Sequence, residues 1–186
     1  MPPDHRSGNA RAMSWLRHRL TALWPRSTRW PPRRSRPLTA GEVTLAQSVF
    51  GTAIDYPRVR LILGKFWPFQ PRRSAMAPMG AIYFHPDGGG WSEDFAAEPL
   101  LRQGFFIHEM THVWQAQKGG RLFLPLLRHP FCRYQYRLVP GRPFGGYGLE
   151  QQAEIVRHRF LADHGGVPPV CPPRSLLHFT GAGQSV

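Results

Sequence analysis

A chain of 186 residues, 41% hydrophobic and 12% aromatic, is long enough for one domain with a real core and too short for two comfortable ones. Its 20 prolines and 19 glycines favour loops and short elements, and no window approaches the roughly 20 apolar residues of a membrane-spanning helix. The net charge of +13 looks like a nucleic-acid signature until it is located: nine of the 24 basic residues are arginines in the first 36 positions, opposed there only by Asp4.

Residues 1–36, rich in Arg, Pro and Ser, are expected to be a disordered basic arm. Within it Trp15, Leu16, Leu20, Leu23 and Trp24 can share one face of a short basic helix that contacts an anionic surface. The plainer alternative is a solvated tail. Arg17, His18 and Arg19 interrupt the apolar run a secretory signal needs, so a cytoplasmic location is the default expectation and secretion by a non-classical route the alternative. No zinc-knuckle, helix-turn-helix or RNA-binding signature accompanies the charge, so no specific nucleic acid is predicted.

The ordered domain is expected over residues 37–165. Thr39 can cap a helix, with Glu42 completing a capping box. Val43, Leu45, Ala46, Val49 and Phe50 follow at helical spacing, and Gly51 can end the helix. Residues 59–63 predict a strand. After a Pro- and Met-containing loop, residues 81–85 predict a second strand, which runs into the breaker Asp87-Gly88-Gly89-Gly90. Residues 99–118 carry helical periodicity closed by Gly119-Gly120, residues 121–147 are irregular, and Leu149, Ala153, Val156 and Phe160 stripe a last helix over residues 149–163. Residues 166–186 predict an irregular Pro/Gly-rich tail. Trp67, Phe69, Trp91 and Trp114 are expected in the core or as cleft walls. Cys132 and Cys171 form no CxxC pair; they are read as two reduced, partly buried thiols, with a disulfide between them left open.

The chemistry lies in His108-Glu109-Met110-Thr111-His112. Residues four apart lie one turn above each other on a helix, so both imidazoles project from one face, as two nitrogen ligands of a tetrahedral zinc must. Glu109 follows the first ligand directly. That places its carboxylate beside the metal, where it can take a proton from zinc-activated water. A third protein ligand is needed. Glu150 and Glu154 share a helix face, and the spacing assigns Glu150 to the metal and Glu154 to orienting a ligand histidine. The reverse assignment stays open, and His129, His158, Asp163 and His164 are weaker rivals.

A helix with HExxH followed well downstream by a second helix with ExxxD resembles the gluzincin class of metallopeptidases. In that pattern the first Glu binds zinc and the acidic residue four later contacts a ligand histidine. Glu150 matches the former, and Glu154 matches the latter with Glu in place of Asp. Residues 38–42, 50–56, 76–78, 82–86, 108–115 and 150–155, within about 37–163, are similar to bacterial proteins known as Vgr-related, and to metallopeptidases found beside bacterial secreted toxins. The resemblance implies a small α+β zincin-like domain, with an active-site helix, a short antiparallel or mixed sheet and a second ligand-bearing helix.

The expected function is zinc-dependent hydrolysis of a peptide bond in a peptide or protein. Zn²⁺ would be held by His108, His112 and Glu150, with Glu109 as general base and an oxyanion stabiliser among Tyr134, Tyr136, Tyr147 and His158. The strand over residues 81–85 is expected at the sheet edge, where an extended peptide could add to it. The alternative function is a catalytically inactive zinc-binding interaction module associated with a secretion system.

Overall fold

The computed structural model describes residues 34–119 and 134–179. Among them are three helices and a four-stranded mixed sheet, an α+β arrangement. In chain order they are strand β1 (Arg34–Pro37), helix α1 (Ala40–Phe50), strands β2 (Arg60–Leu63), β3 (Ala75–Met76) and β4 (Ala81–Phe84), and helices α2 (Leu100–Gly119) and α3 (Leu149–Asp163). The sequence-based expectations for residues 1–33, including the short helix carrying Trp15 and Trp24, for His129 and for Cys132 lie outside the described residues.

Helix α1 forms as its capping box predicts. The Thr39 hydroxyl accepts from the Glu42 amide at 3.0 Å, and the Glu42 carboxylate accepts from the Thr39 amide at 2.9 Å. Gly51, at φ 54°, ends the helix in a backbone region that disfavours a β-carbon. Glu42 does more than cap. Its side chain is fully buried and also accepts two bonds from the Arg36 guanidinium, both 2.7 Å, and one from the Phe95 amide at 2.9 Å. One carboxylate thereby joins β1, α1 and the turn before α2. Arg34, Ser35 and Arg36 accordingly belong to a strand rather than to the arm, because this pairing pulls them onto the sheet.

The strand order is β1-β2-β4-β3, with β1 antiparallel to β2, β2 parallel to β4, and β3 antiparallel to β4. The expectation that residues 81–85 form the sheet edge is therefore corrected: Tyr83 and Phe84 pair with Met76 and Ala75, and the edge strands are β1 and β3. Two residues with no alternation give a sequence too little pattern to reveal such a strand.

Helix α2 runs through the middle of the domain, with every residue from 106 to 116 buried. Phe84, Phe95 and Phe106 form a stack from sheet to helix, with ring centroids 5.6 and 5.2 Å apart. Such pairs contribute about 0.5–1.5 kcal/mol each beyond their burial. Helix α3 packs along α2. It closes at Gly165 (φ 81°), whose successor Gly166 donates back to the Leu161 carbonyl at 2.8 Å. The described residues beyond it, up to 179, are irregular but not detached: Leu176, Leu177 and Phe179 pack against the core, and Phe179 meets Phe50 and Trp114. Trp114 is a core residue as expected, whereas Trp67 and Phe69 are exposed.

Candidate metal centre

His108 and His112 face α3 from adjacent turns of α2. Their Nε2 atoms lie 3.3 Å apart, and Glu150 Oε2, from the first turn of α3, lies 3.2 Å from His112 Nε2 and 3.4 Å from His108 Nε2. All three side chains are buried. Three donor atoms converging this closely form a group that can hold a metal ion.

The opposite ring nitrogens are engaged too. Glu154 Oε1 lies 2.8 Å from His108 Nδ1. His112 Nδ1 donates to Gln115 Oε1 at 2.8 Å, while Gln115 Nε2 donates to the Leu149 carbonyl and to Gln152 Oε1. With Nδ1 donating, a neutral His112 keeps its Nε2 lone pair directed at the shared point, and the Glu154 carboxylate draws a proton of His108 toward Nδ1. Gln115 escaped the sequence analysis. Its signal was its place three residues beyond His112, on the same helix face.

Electrostatics follow from this crowding. Burial works against a charged His108, yet the hydrogen bonds with Glu150 and Glu154 and the charge of Glu109 raise its pKa to about 9. Burial pushes the Glu154 carboxyl upward, but His108 and Arg157 outweigh it and the net shift is down. Glu109 is buried, and its Oε2 has no hydrogen-bond partner among the described residues.

No protein-family model matches the chain. It is 46% identical over 132 residues to the type VI secretion system spike protein VgrG2b of Pseudomonas aeruginosa, a match covering 68% of this chain. The solved effector domain of P. aeruginosa VgrG2b aligns with a TM-score of 0.60 at 43% identity, covering 69% of this chain and 75% of that one. The chain belongs to the VgrG2b effector-domain family. It spans only 13% of the length of the VgrG2b spike protein.

In this member of the VgrG2b effector-domain family the remaining candidates are spread unevenly. The Tyr134 ring stacks beside that of His108, centroids 6.3 Å apart and 20° from parallel, and is half exposed. The Tyr136 hydroxyl is bonded to His158 Nδ1 at 2.7 Å, and His158 Nε2 lies 3.3 Å from Glu154 Oε2. Burial lowers the His158 pKa, and Arg157 and His108 add to that against the pull of Glu154. The buried Tyr147 hydroxyl accepts from the Val139 amide. Asp163 pairs with Arg159 and Arg174, and His164 Nδ1 bonds the Phe160 carbonyl. Cys171 is a free, exposed thiol.

Proposed function

We propose that the chain is a zincin-like zinc metallopeptidase that hydrolyses a peptide bond in a peptide or protein substrate. The observation that carries this reading is the spacing of the donors. A tetrahedral zinc with nitrogen and oxygen ligands at about 2.0–2.1 Å holds them about 3.3–3.4 Å apart. The three pairs among His108 Nε2, His112 Nε2 and Glu150 Oε2 are 3.3, 3.2 and 3.4 Å apart. Two neutral imidazoles and a carboxylate also suit zinc chemically and leave one position open.

Zinc held there would supply Lewis acidity toward a water and a scissile carbonyl. Glu109, carboxylate beside the triad and one oxygen unpartnered, takes the proton of the attacking water and returns it to the leaving amine. Glu154 and Gln115 hold His108 and His112 in the rotamers that aim Nε2 inward. Tyr134 is the oxyanion stabiliser, because its ring lies beside that of His108 at the metal centre. The likeness to a type VI secretion system spike protein supports delivery by that route, and no helix among the described residues is long and apolar enough to cross a membrane. The arginine-rich residues 1–33 contact an anionic surface. Deleting them is expected to abolish salt-sensitive binding of the chain to anionic polymers, and unchanged binding overturns that assignment.

The test is metal analysis of the purified chain beside Glu109→Gln and Glu150→Ala. Near one zinc per chain is expected in the first two and little in the third. Cleavage of a peptide library is expected from the wild type, with Glu109→Gln slower by about 10²–10⁴-fold. A wild type that binds no zinc overturns the metal centre. Zinc without cleavage overturns the peptidase and leaves an inactive zinc-binding module of a secretion apparatus.

A further inference from the structure

The segment between β2 and β3 shows two large aromatic side chains to solvent. Trp67 is 44% exposed and Phe69 78%, and their rings meet edge to face at 5.7 Å. Lone apolar residues on a surface are ordinary, but two aromatics paired at one loop tip form a patch. The loop beneath them is firmly built. Gln70 is buried; its Oε1 accepts from the Phe66 amide at 2.8 Å, and its Nε2 donates to the Ser74 and Tyr83 carbonyls at 3.0 and 3.2 Å. Phe66 packs edge-on against Tyr83 at 5.2 Å. Further along, the Arg72 carbonyl sits so close to Gly88 that a β-carbon there would lie 1.8 Å from its oxygen. A buried glutamine and a close backbone contact thus hold Trp67-Pro68-Phe69 outward.

The charge around this tip has one sign. Between Asp55 and Asp87 the chain carries no acidic residue, but Arg58, Arg60, Lys65, Arg72 and Arg73 all fall there, of which Arg58 pairs with Asp55 at 3.1 Å. Arg72 and Arg73 follow the tip directly and are exposed, as is Met79. Asp87, the first acidic residue downstream, lies 3.9 Å from His85 Nδ1. Aromatic rings favour the boundary between headgroups and acyl chains, and lysine and arginine beside them favour anionic headgroups. A protein partner for this tip would have to set acidic groups against Arg72 and Arg73 and yet offer a pocket to two rings, whereas an anionic bilayer presents both features everywhere.

We propose that residues 67–73 dock the protein on an anionic lipid bilayer, with Trp67 and Phe69 entering the interface and Arg72 and Arg73 lying among the phosphates. This site is separate from the arginine-rich residues 1–33 and does not depend on the metal centre.

Because those N-terminal arginines can also bring the chain to anionic vesicles, the test reads the loop itself. In the full chain with Cys132→Ser and Cys171→Ser, Phe69→Cys is labelled with a polarity-sensitive fluorophore. On phosphatidylglycerol-containing vesicles its emission is expected to shift blue and to become shielded from aqueous iodide, with no change on phosphatidylcholine alone. In unlabelled protein, Trp67→Ser with Phe69→Ser is expected to weaken vesicle binding by at least about tenfold. Arg72→Gln with Arg73→Gln is expected to weaken it roughly 25-fold, about fivefold per cation. A chain that sediments with vesicles while the label stays open to iodide overturns the proposal. So does a chain that ignores vesicles, or loop variants that bind as the wild type does.

Discussion

Two glutamates, Glu42 and Glu150, are almost wholly inaccessible to solvent, and each sits in the first turn of a helix. Glu42 is met by groups that can only donate: two backbone amides and both terminal nitrogens of an arginine that is always charged. Every favourable direction around that carboxylate is filled. Glu150 instead presents one oxygen to two imidazole nitrogens, each able to carry either a proton or a lone pair. Glu42 is matched to a fixed cation supplied by the chain. Glu150 is matched to a positive charge that can be exchanged, a proton or a metal ion. Burial alone does not separate a structural carboxylate from a functional one; the adaptability of its partners does.

The sharpest way to break this contrast is to remove Glu42. Glu42→Ala leaves the Arg36 guanidinium and the Thr39 and Phe95 amides without their acceptor, and is expected to cost about 3–5 kcal/mol in denaturant unfolding. A loss below about 1 kcal/mol would show the clamp to be dispensable.

The exchangeable charge is read by pH. In chelator-treated protein, folded His108 keeps its proton up to about pH 9, while the unfolded chain releases it near 6.5. Its contribution is full below the lower value and is lost as pH rises through the upper one. Metal-free stability should therefore fall between them by about 3 kcal/mol. Zinc-loaded protein should lack this slope, because a ligand histidine has already given up its proton. Thermal melting across that range, with and without chelator, checks both statements.

Next in size is Gln115→Ala. It removes the acceptor that orients His112 and is expected to weaken zinc affinity about 10–100-fold in a competition titration, with the fold intact. Unchanged affinity would reduce Gln115 to a helix-packing residue. The smallest effect is expected from Arg34→Ala. The Arg34–Glu93 pair is exposed on both sides, so the melting temperature should not move measurably.

What the chain disclosed in advance follows from how local each signal was. Thr39 with Glu42, His108 with His112, and the stripe of α3 are all patterns within one helix, set by a repeat that needs no knowledge of the rest of the molecule. The same pattern named Glu42 as a capping residue but could not show Arg36 or Phe95 converging on it, since those contacts depend on how β1 and the turn before α2 are placed. Strand β1 was hidden because Arg34-Ser35-Arg36-Pro37 has no apolar alternation and owes its place to pairing with β2. Strand β3 was too short to show a period. Gln115 and Gln70 look alike as single letters, yet one orients an imidazole and the other holds up a loop. Trp67 and Phe69 defeat the rule that large aromatics go inside, and the surface they occupy is where a partner was inferred.

The distribution of the donor atoms along the chain has one more consequence. His112 and Glu150 are separated by 38 residues and lie on different helices. An ion gripping both would close a loop of that length in whatever the chain becomes when it opens. By the chain-entropy relation for a cross-link, such a closure is worth on the order of 4 kcal/mol. The ion would then act as a removable staple as well as a reagent. Survival against proteases would then track the supply of metal around the protein.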